Sequence, residues 1–180
     1  MTYGSIHGRF QPFHNGHLKY ALEAMQQCEM LYVGLTRVLT EVGDGEEVAP
    51  HRSKMDSNPF FYRERVKIIR SALSAAGIPE GRFSVGPFPI ENPSRLPEFW
   101  STKDTCFTTV VDNWNRMKIE LIERAGFKVT SIKEGPWTGS DYASGTTIRA
   151  LIRARDTAWH KFVPDGARQE IEEILKERDI

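Results

Sequence analysis

In a chain of 180 residues, 24 lysines and arginines are balanced by 24 aspartates and glutamates, so no global field draws in nucleic acid or an anionic membrane, and any anion site has to be a local cluster. Hydrophobic residues at 39% and charged ones at 27% suit a globular domain that buries roughly 70% of its unfolded surface, and no apolar run reaches the ~18 residues of a membrane span. Cys28 and Cys106 are the two cysteines, too few for a disulfide framework, and MTYGSIHGRFQP has no charged leader before an apolar run; both point to a cytoplasmic protein.

YGSIHGRF, with its aromatic and β-branched residues, reads as a strand that stops at the Gln11-Pro12 turn. Leu18, Ala21, Leu22 and Met25 then recur at helical spacing, which predicts an amphipathic helix over 16–28. The near-continuous apolar run EMLYVGLT (29–36) predicts a strand buried on both faces, completing the strand–helix–strand unit of a parallel sheet. Residues 37–57 lose periodicity and fill with Gly, Asp, Glu, Pro and Ser; a loop of that length in a compact domain is commonly functional. NPFFYRERVKIIRSALSAAG resumes as a helix, with Asn58 as its expected cap, Pro59 in its first position and Gly77 as its stop.

RFSVGPFPI, CFTTVVD and FKVTSIKE supply three more strands. Between them lie an irregular connection, ENPSRLPEFWSTKD, and a helix, NWNRMKIELIERAG, that ends at Gly126. After the turn-rich GPWTGSDYASG, two helices, TTIRALIRARD and GARQEIEEILKER, form a C-terminal helical segment within 144–180. Five strands alternating with helices, with no repeat or linker, predict a single α/β domain over 1–180: an open, parallel, Rossmann-like five-stranded sheet with helices on both faces.

In such sheets ligands bind beyond the carboxyl ends of the strands. His14 and His17 fall there, between the first strand and the first helix. The N–H groups of a first helical turn have no intrahelical acceptor, and together with the helix dipole they favour an anion, typically a phosphate. Gly16 leaves room for close backbone approach, the two imidazoles can donate to phosphate oxygens, and Arg9 adds a guanidinium fork. A zinc site is the competing reading of a His pair, but it needs a third or fourth ligand. His7 and Cys28 lie in a strand and at the far end of a helix, so no metal site is predicted.

The whole string GRFQPFHNGHL, Gly8 to Leu18, resembles the HxGH signature of the nucleotidyltransferase superfamily. Its opening, with Gly8, Arg9 and Phe10, is similar to the archaeal-type nicotinamide-nucleotide adenylyltransferases. SGTTIR, Ser144 to Arg149, matches that superfamily's second signature, and NPFFYRERVKII resembles a further segment of it. Read physically, Ser144 or Thr146 caps a helix whose first-turn N–H groups face an anion, and Arg149 reaches over that end. The resemblance implies the nucleotidylyl transferase fold and a reaction in which a mononucleotide attacks the α-phosphate of ATP, pyrophosphate leaves and no covalent enzyme intermediate forms. The acceptor it implies is nicotinamide or nicotinate mononucleotide, giving NAD or its deamido form. It also implies that His14 and His17 contact the triphosphate, that Arg9 and Arg149 hold phosphates, and that Ser144, Gly145 and Thr146 add donors. Mg²⁺ is expected on the nucleotide oxygens, since neither motif holds a carboxylate. Family members are often oligomers, so a homo-oligomer belongs among the expectations.

The chain departs from this pattern in two places. The loop over 37–57 is longer than in archaeal-type relatives, and Ser57 stands where they carry an arginine; His51, Arg52 and Lys54 are the nearby cations that could replace it. After the fourth strand VVDNWNRMK replaces an Asn-Pro-Leu turn, which makes Asp112, Asn113, Trp114 and, from the preceding connection, Trp100 the candidates for holding the acceptor. Other acceptors stay open: an adenylyl- or cytidylyltransferase for a different phosphorylated small molecule, or a nucleotide sensor that does not turn over. Cytidylyltransferases and pantetheine-phosphate adenylyltransferases more often open the first motif with Gly-Thr/Ser-Phe-Asp, so GRFQP points away from them.

Overall fold

The computed structural model of the chain describes residues 1–38, 57–111, 113–178 and 180, with backbone alone at 113 and 114. Five strands form one parallel sheet: β1 (Tyr3–Gly8), β2 (Met30–Leu35), β3 (Phe83–Pro87), β4 (Thr105–Val110) and β5 (Lys128–Glu134), in the order β3-β2-β1-β4-β5. The register runs from Tyr3 opposite Met30 to Gly8 opposite Leu35, and β4 meets β1 at Gly4–Thr105 and Ser5–Cys106. The central β1 is buried over Gly4–His7, whereas β5, at the edge, is nowhere fully buried. After β3 the chain returns across β2 and β1 to lay down β4 on the other side. The order therefore reverses beside β1, the strand whose carboxyl end such folds use for ligands.

The helices are α1 (Asn15–Met25), α2 (Tyr62–Ala75), α3 (Asn113–Arg124), α4 (Gly145–Arg153) and α5 (Asp165–Glu177). The chain divides into two compact units. One holds residues 1–8, 19–38 and 79–137, and so contains the whole sheet, most of α1 and α3. Its core gathers Phe88, Ile90, Leu96, Trp100, Cys106, Ile122 and Phe127, with Trp100 stacked on Phe127 at 4.1 Å between centroids. The other unit holds residues 9–18, 138–180 and, within 39–78, the described stretch 57–78; it contains the first turn of α1 together with α2, α4 and α5.

Several boundaries differ from the sequence reading: α1 stops at Met25 rather than at 28, β3 at Pro87 and α4 at Arg153, and two further differences have an identifiable cause. β1 ends at Gly8 rather than at the Gln11-Pro12 turn, because Phe10 takes a left-handed φ of 50° that no strand accommodates. α2 begins at Tyr62 with Phe61 in the cap position, so Asn58 is not its cap and Pro59 lies outside it. One cause is local and one tertiary: the Glu64 carboxylate accepts from the Phe61 N–H at 2.8 Å, and both backbone groups of Phe60 are bonded to the side chain of the distant Gln11. Those bonds hold the preceding residues outside the helix. A 3₁₀ turn at Thr157–Phe162, capped by Asp156, also lies between α4 and α5, in a stretch without a periodic apolar pattern.

Candidate active site

The chain leaves β1 into a loop that is tied down residue by residue. Phe10, 1% exposed, sits in the left-handed region, a conformation that costs a bulky residue on the order of 1–3 kcal/mol. Its neighbours are fixed on both sides. Arg65 Nη1 donates to the Arg9 carbonyl at 2.8 Å, and Arg149 Nη1 donates to the Gln11 carbonyl at 2.7 Å. The Gln11 amide donates from Nε2 to the Phe60 carbonyl at 2.9 Å, while its Oε1 accepts from the Phe60 N–H at 3.0 Å. Arg9 itself donates to Asn58 Oδ1 at 3.5 Å. Phe10 and Phe13 together form an apolar wall, their centroids 5.5 Å apart.

His17 stands against that wall, edge-on to Phe10 at 4.8 Å, and His14 stacks on His17 with centroids 3.6 Å apart and planes 21° apart. His14 is also the residue from which α1 starts: its carbonyl accepts from the N–H groups of His17 (2.8 Å) and Leu18 (3.0 Å). In return His17 Nδ1 accepts from the His14 N–H at 3.3 Å. An imidazole nitrogen that accepts carries no proton, so neutral His17 holds its hydrogen on Nε2, and the ring also hydrogen-bonds to the Pro12 backbone, an interaction that opposes the fall of its pKa. Burial drives the pKa of His14 down to about 3 and that of His17 well below the ordinary range, the latter with further help from His14 and Arg9. Both rings are therefore neutral donors at neutral pH in the free protein. His14 Nδ1 is buried and has no hydrogen-bond partner among the described residues.

The second motif belongs to the same unit. Ser144 caps α4, its hydroxyl accepting from the Thr147 N–H at 3.2 Å, so it acts first on the helix. The N–H groups of Gly145 and Thr146 stay without intrahelical acceptors, as at any helix start. Arg149 is 6% exposed and bridges two elements, with Nη1 on the Gln11 carbonyl and Nη2 donating to Thr146 Oγ1 at 3.2 Å. Burial, reinforced by Arg153, lowers its pKa from the usual guanidinium value. A side chain on Gly145 would stand 3.2 Å from both Arg149 Nη1 and the Gln11 carbonyl oxygen, so glycine is what lets the two motifs approach. At Gly16 the close neighbours are the ring of Tyr142, 2.8 Å from where a Cβ would stand, and His14 Cε1 at 3.1 Å.

Arg9, Phe10, His14, Gly16, His17, Ser144, Gly145, Thr146 and Arg149 thus lie in one compact unit, and Gly8 ends β1 immediately before it. The acceptor candidates belong to the other unit. Trp100 is 8% exposed, with its ring against Phe127 and Phe88. Asn113 opens α3 and Trp114 follows it, at the carboxyl end of β4. Asp112 lies outside the described residues, as do His51, Arg52, Lys54 and most of the 37–57 loop. Among the described residues no three His, Cys, Asp or Glu side chains gather as a metal site, and no helix is long and apolar enough to cross a membrane.

The sequence reading passed over several residues on which this geometry depends. Gln11 was visible only as part of a turn. Arg65 carried a legible signal, since it shares the apolar face of α2 with Ile68, Ile69 and Ala72, where a charge has to find buried acceptors. Asn15 acts by bonding the carbonyls of Asp141 and Lys161, and Tyr142 by packing on His14 and Gly16; both are tertiary contacts, and neither had a local signature.

Residues 6–151 match the cytidylyltransferase-like family. The chain belongs to that family. It is a nucleotidyltransferase with the HxGH signature. It is 33% identical over 94% of its length to the phosphonoformate cytidylyltransferase of Streptomyces viridochromogenes, covering 90% of that protein. It is also 33% identical over 96% of its length to the nicotinamide-nucleotide adenylyltransferase of Ignicoccus hospitalis, again covering 90%. Among solved structures, a bifunctional NMN adenylyltransferase/ADP-ribose pyrophosphatase from Francisella tularensis superposes with a TM-score of 0.65 at 15% identity. That match covers 90% of this chain and 44% of the other, and supports the nucleotidyltransferase fold. The GRFQP opening does not by itself point away from cytidylyltransferases, because the chain is as similar to one of them as to an adenylyltransferase.

Proposed function

We propose that the chain transfers a nucleoside monophosphate from a Mg²⁺–nucleoside triphosphate to an oxygen of a small phosphonate or phosphate, with CTP as donor and a compact acceptor lacking an aromatic base. The acceptor oxygen attacks the α-phosphorus, the bond from that phosphorus to the bridging oxygen breaks, and pyrophosphate carries away the electron pair. Such a step needs positioning and charge stabilisation more than a nucleophile or base of the protein's own. The observation that carries the reading is the stacked His14–His17 pair at the start of α1, with His17 Nε2–H as donor, in one unit with the Ser144–Arg149 helix start. His17 meets the charge growing on the α-phosphate, while Arg149 and the free N–H groups of α4 hold the departing pyrophosphate. Neither motif supplies a carboxylate, so the divalent ion travels on the phosphates.

The burial of Trp100 in the apolar core favours the compact acceptor, because a tryptophan packed against Phe127 and Phe88 is poorly placed to stack on a pyridine ring. The Streptomyces relative, named for cytidylyl transfer to phosphonoformate, supports the same choice. A second reading, ATP with nicotinamide or nicotinate mononucleotide, is supported by the Ignicoccus relative and its archaeal counterparts. Pyrophosphate release measured with CTP or ATP against phosphonoformate, glycerol 3-phosphate, phosphopantetheine and the two pyridine mononucleotides separates them. Turnover with CTP and phosphonoformate, lost in His17→Ala, is expected. Turnover confined to ATP with a pyridine mononucleotide would establish the second reading, and equal rates in the wild type and His17→Ala would overturn both.

A further inference from the structure

The two histidines belong to a longer file of rings. Phe10 backs His17, His17 stacks on His14, and His14 meets Tyr142 edge-on at 5.8 Å and 80°. Tyr142 is the outermost plate. Its ring also lies on the flank of Gly16, so close that a Cβ there would stand 2.8 Å from Cε2 and 3.1 Å from Cδ2. In a helix the Cβ direction leaves the axis sideways, whereas the free first-turn N–H groups point along it. The tyrosine therefore covers the side of the motif and leaves the anion-binding end open. The segment that carries it is fastened to the same turn: Asn15 Nδ2 donates to the carbonyls of Asp141 (2.8 Å) and Lys161 (2.9 Å), and the Tyr142 N–H donates to the Gly139 carbonyl. The variable residue of the His-x-Gly-His motif is thus a clasp, and the glycine is the seat of the ring that the clasped segment carries.

Building on nucleotidyl transfer at this site, we propose that Tyr142 is a positioning residue for His14: its ring, carried on the segment that Asn15 clasps, seals the outer edge of the His14–His17 stack from water and fixes the imidazole that meets the triphosphate. Three further observations agree. His14 is 6% exposed although it borders a turn, its Nδ1 has no partner among the described residues, and burial alone accounts for its low pKa. The titratable and charged groups around it are His17 on its own helix, Tyr142 and Asp141 on the clasped segment, Lys161, whose carbonyl Asn15 also holds, Arg9, whose charge acts on His17, and Arg149, held on the Gln11 carbonyl. Asp141 is the one anion among them, and it is burial that lowers the His14 pKa, so losing the cover acts through water.

The experiment is a histidine-detected NMR pH titration of wild type, Tyr142→Phe and Tyr142→Ala, with steady-state kinetics of the same proteins. In the wild type and Tyr142→Phe, His14 should stay unprotonated down to about pH 4; in Tyr142→Ala its midpoint should rise toward the ordinary 6.5. Tyr142→Ala should lose about tenfold in kcat/KM, as expected when a catalytic group is misplaced, and Tyr142→Phe should stay within about twofold. An unchanged His14 midpoint in Tyr142→Ala overturns the proposal, and so does a loss in Tyr142→Phe equal to that in Tyr142→Ala. Gly16→Ala offers a second arm: it should be impaired alone and improved when combined with Tyr142→Ala, whereas no recovery counts against the seat. The titration needs no substrate, so it reads the cover even if the donor and acceptor named above prove wrong.

Discussion

His17 is the residue through which this site joins backbone to chemistry. Its Nδ1 takes the His14 N–H, which would otherwise be an unmet donor at the helix start, and on the function proposed above that one bond sets which nitrogen is offered to a phosphate. Replacing it with alanine removes a donor aimed at growing charge, so kcat should fall on the order of a hundredfold or more while the protein stays folded; pyrophosphate release and circular dichroism on the same preparation check both parts. Arg149 makes a different demand. Its guanidinium spans from the Gln11 carbonyl to Thr146 Oγ1, two acceptors on separate elements that one ammonium cannot serve together. Arg149→Lys is therefore expected to lose about tenfold in kcat/KM and about 1 kcal/mol of stability, read from kinetics and urea midpoints.

Between the elements, the loop after β1 and the start of α2 are joined by the Gln11 side chain, which mimics a strand partner for Phe60 with one bond given and one taken. Phe60 is 1% exposed, so removing the amide strands a buried N–H and a buried carbonyl. Gln11→Ala should cost about 2–4 kcal/mol by that route and lower the thermal midpoint correspondingly, and kcat should fall as the Phe10 turn loosens. This link also explains what the sequence could and could not disclose. GRFQPFHNGHL and SGTTIR were legible as a family signature because each places particular residues at fixed local spacing around a helix start. The inner strand β2 was legible because burial on two faces leaves a near-continuous apolar run, and the edge strand β5, nowhere fully buried, because β-branched residues stand between turn signals. The start of α2 was misread, since Asn58-Pro59 is a sound local cap signal and only the distant Gln11 overrides it. Tyr142 was silent for the same reason: its partner lies more than a hundred residues away, and no local pattern encodes that contact.

Across the whole molecule, three buried histidines impose one dependence on pH. His7, in β1, is held well below its ordinary pKa by burial and by the positive charge of Lys118, while His14 and His17 are lowered chiefly by burial. His7 belongs to the unit that carries the sheet, and the other two to the unit that carries the motifs, so both units face the same test. In the unfolded chain these imidazoles take up protons as the pH falls through about 6.5, while in the folded chain His14 does not until about pH 3. Over that window the unfolded state binds more protons, so the unfolding free energy must fall with pH, at up to about 1.4 kcal/mol per pH unit for each histidine. Stability contributed by the neutral rings is therefore fully present above pH 6.5 and lost progressively below it. Thermal melts from pH 7.5 to 4.5 should show the midpoint dropping steeply below pH 6.5. The His7→Phe and His14→Phe variants, each with one histidine fewer to titrate, should show shallower slopes. A midpoint that stays level between pH 7 and 5 would mean that these rings are already open to protons in the folded protein, and that the neutral-donor chemistry assigned to His17 has to be replaced by an imidazolium.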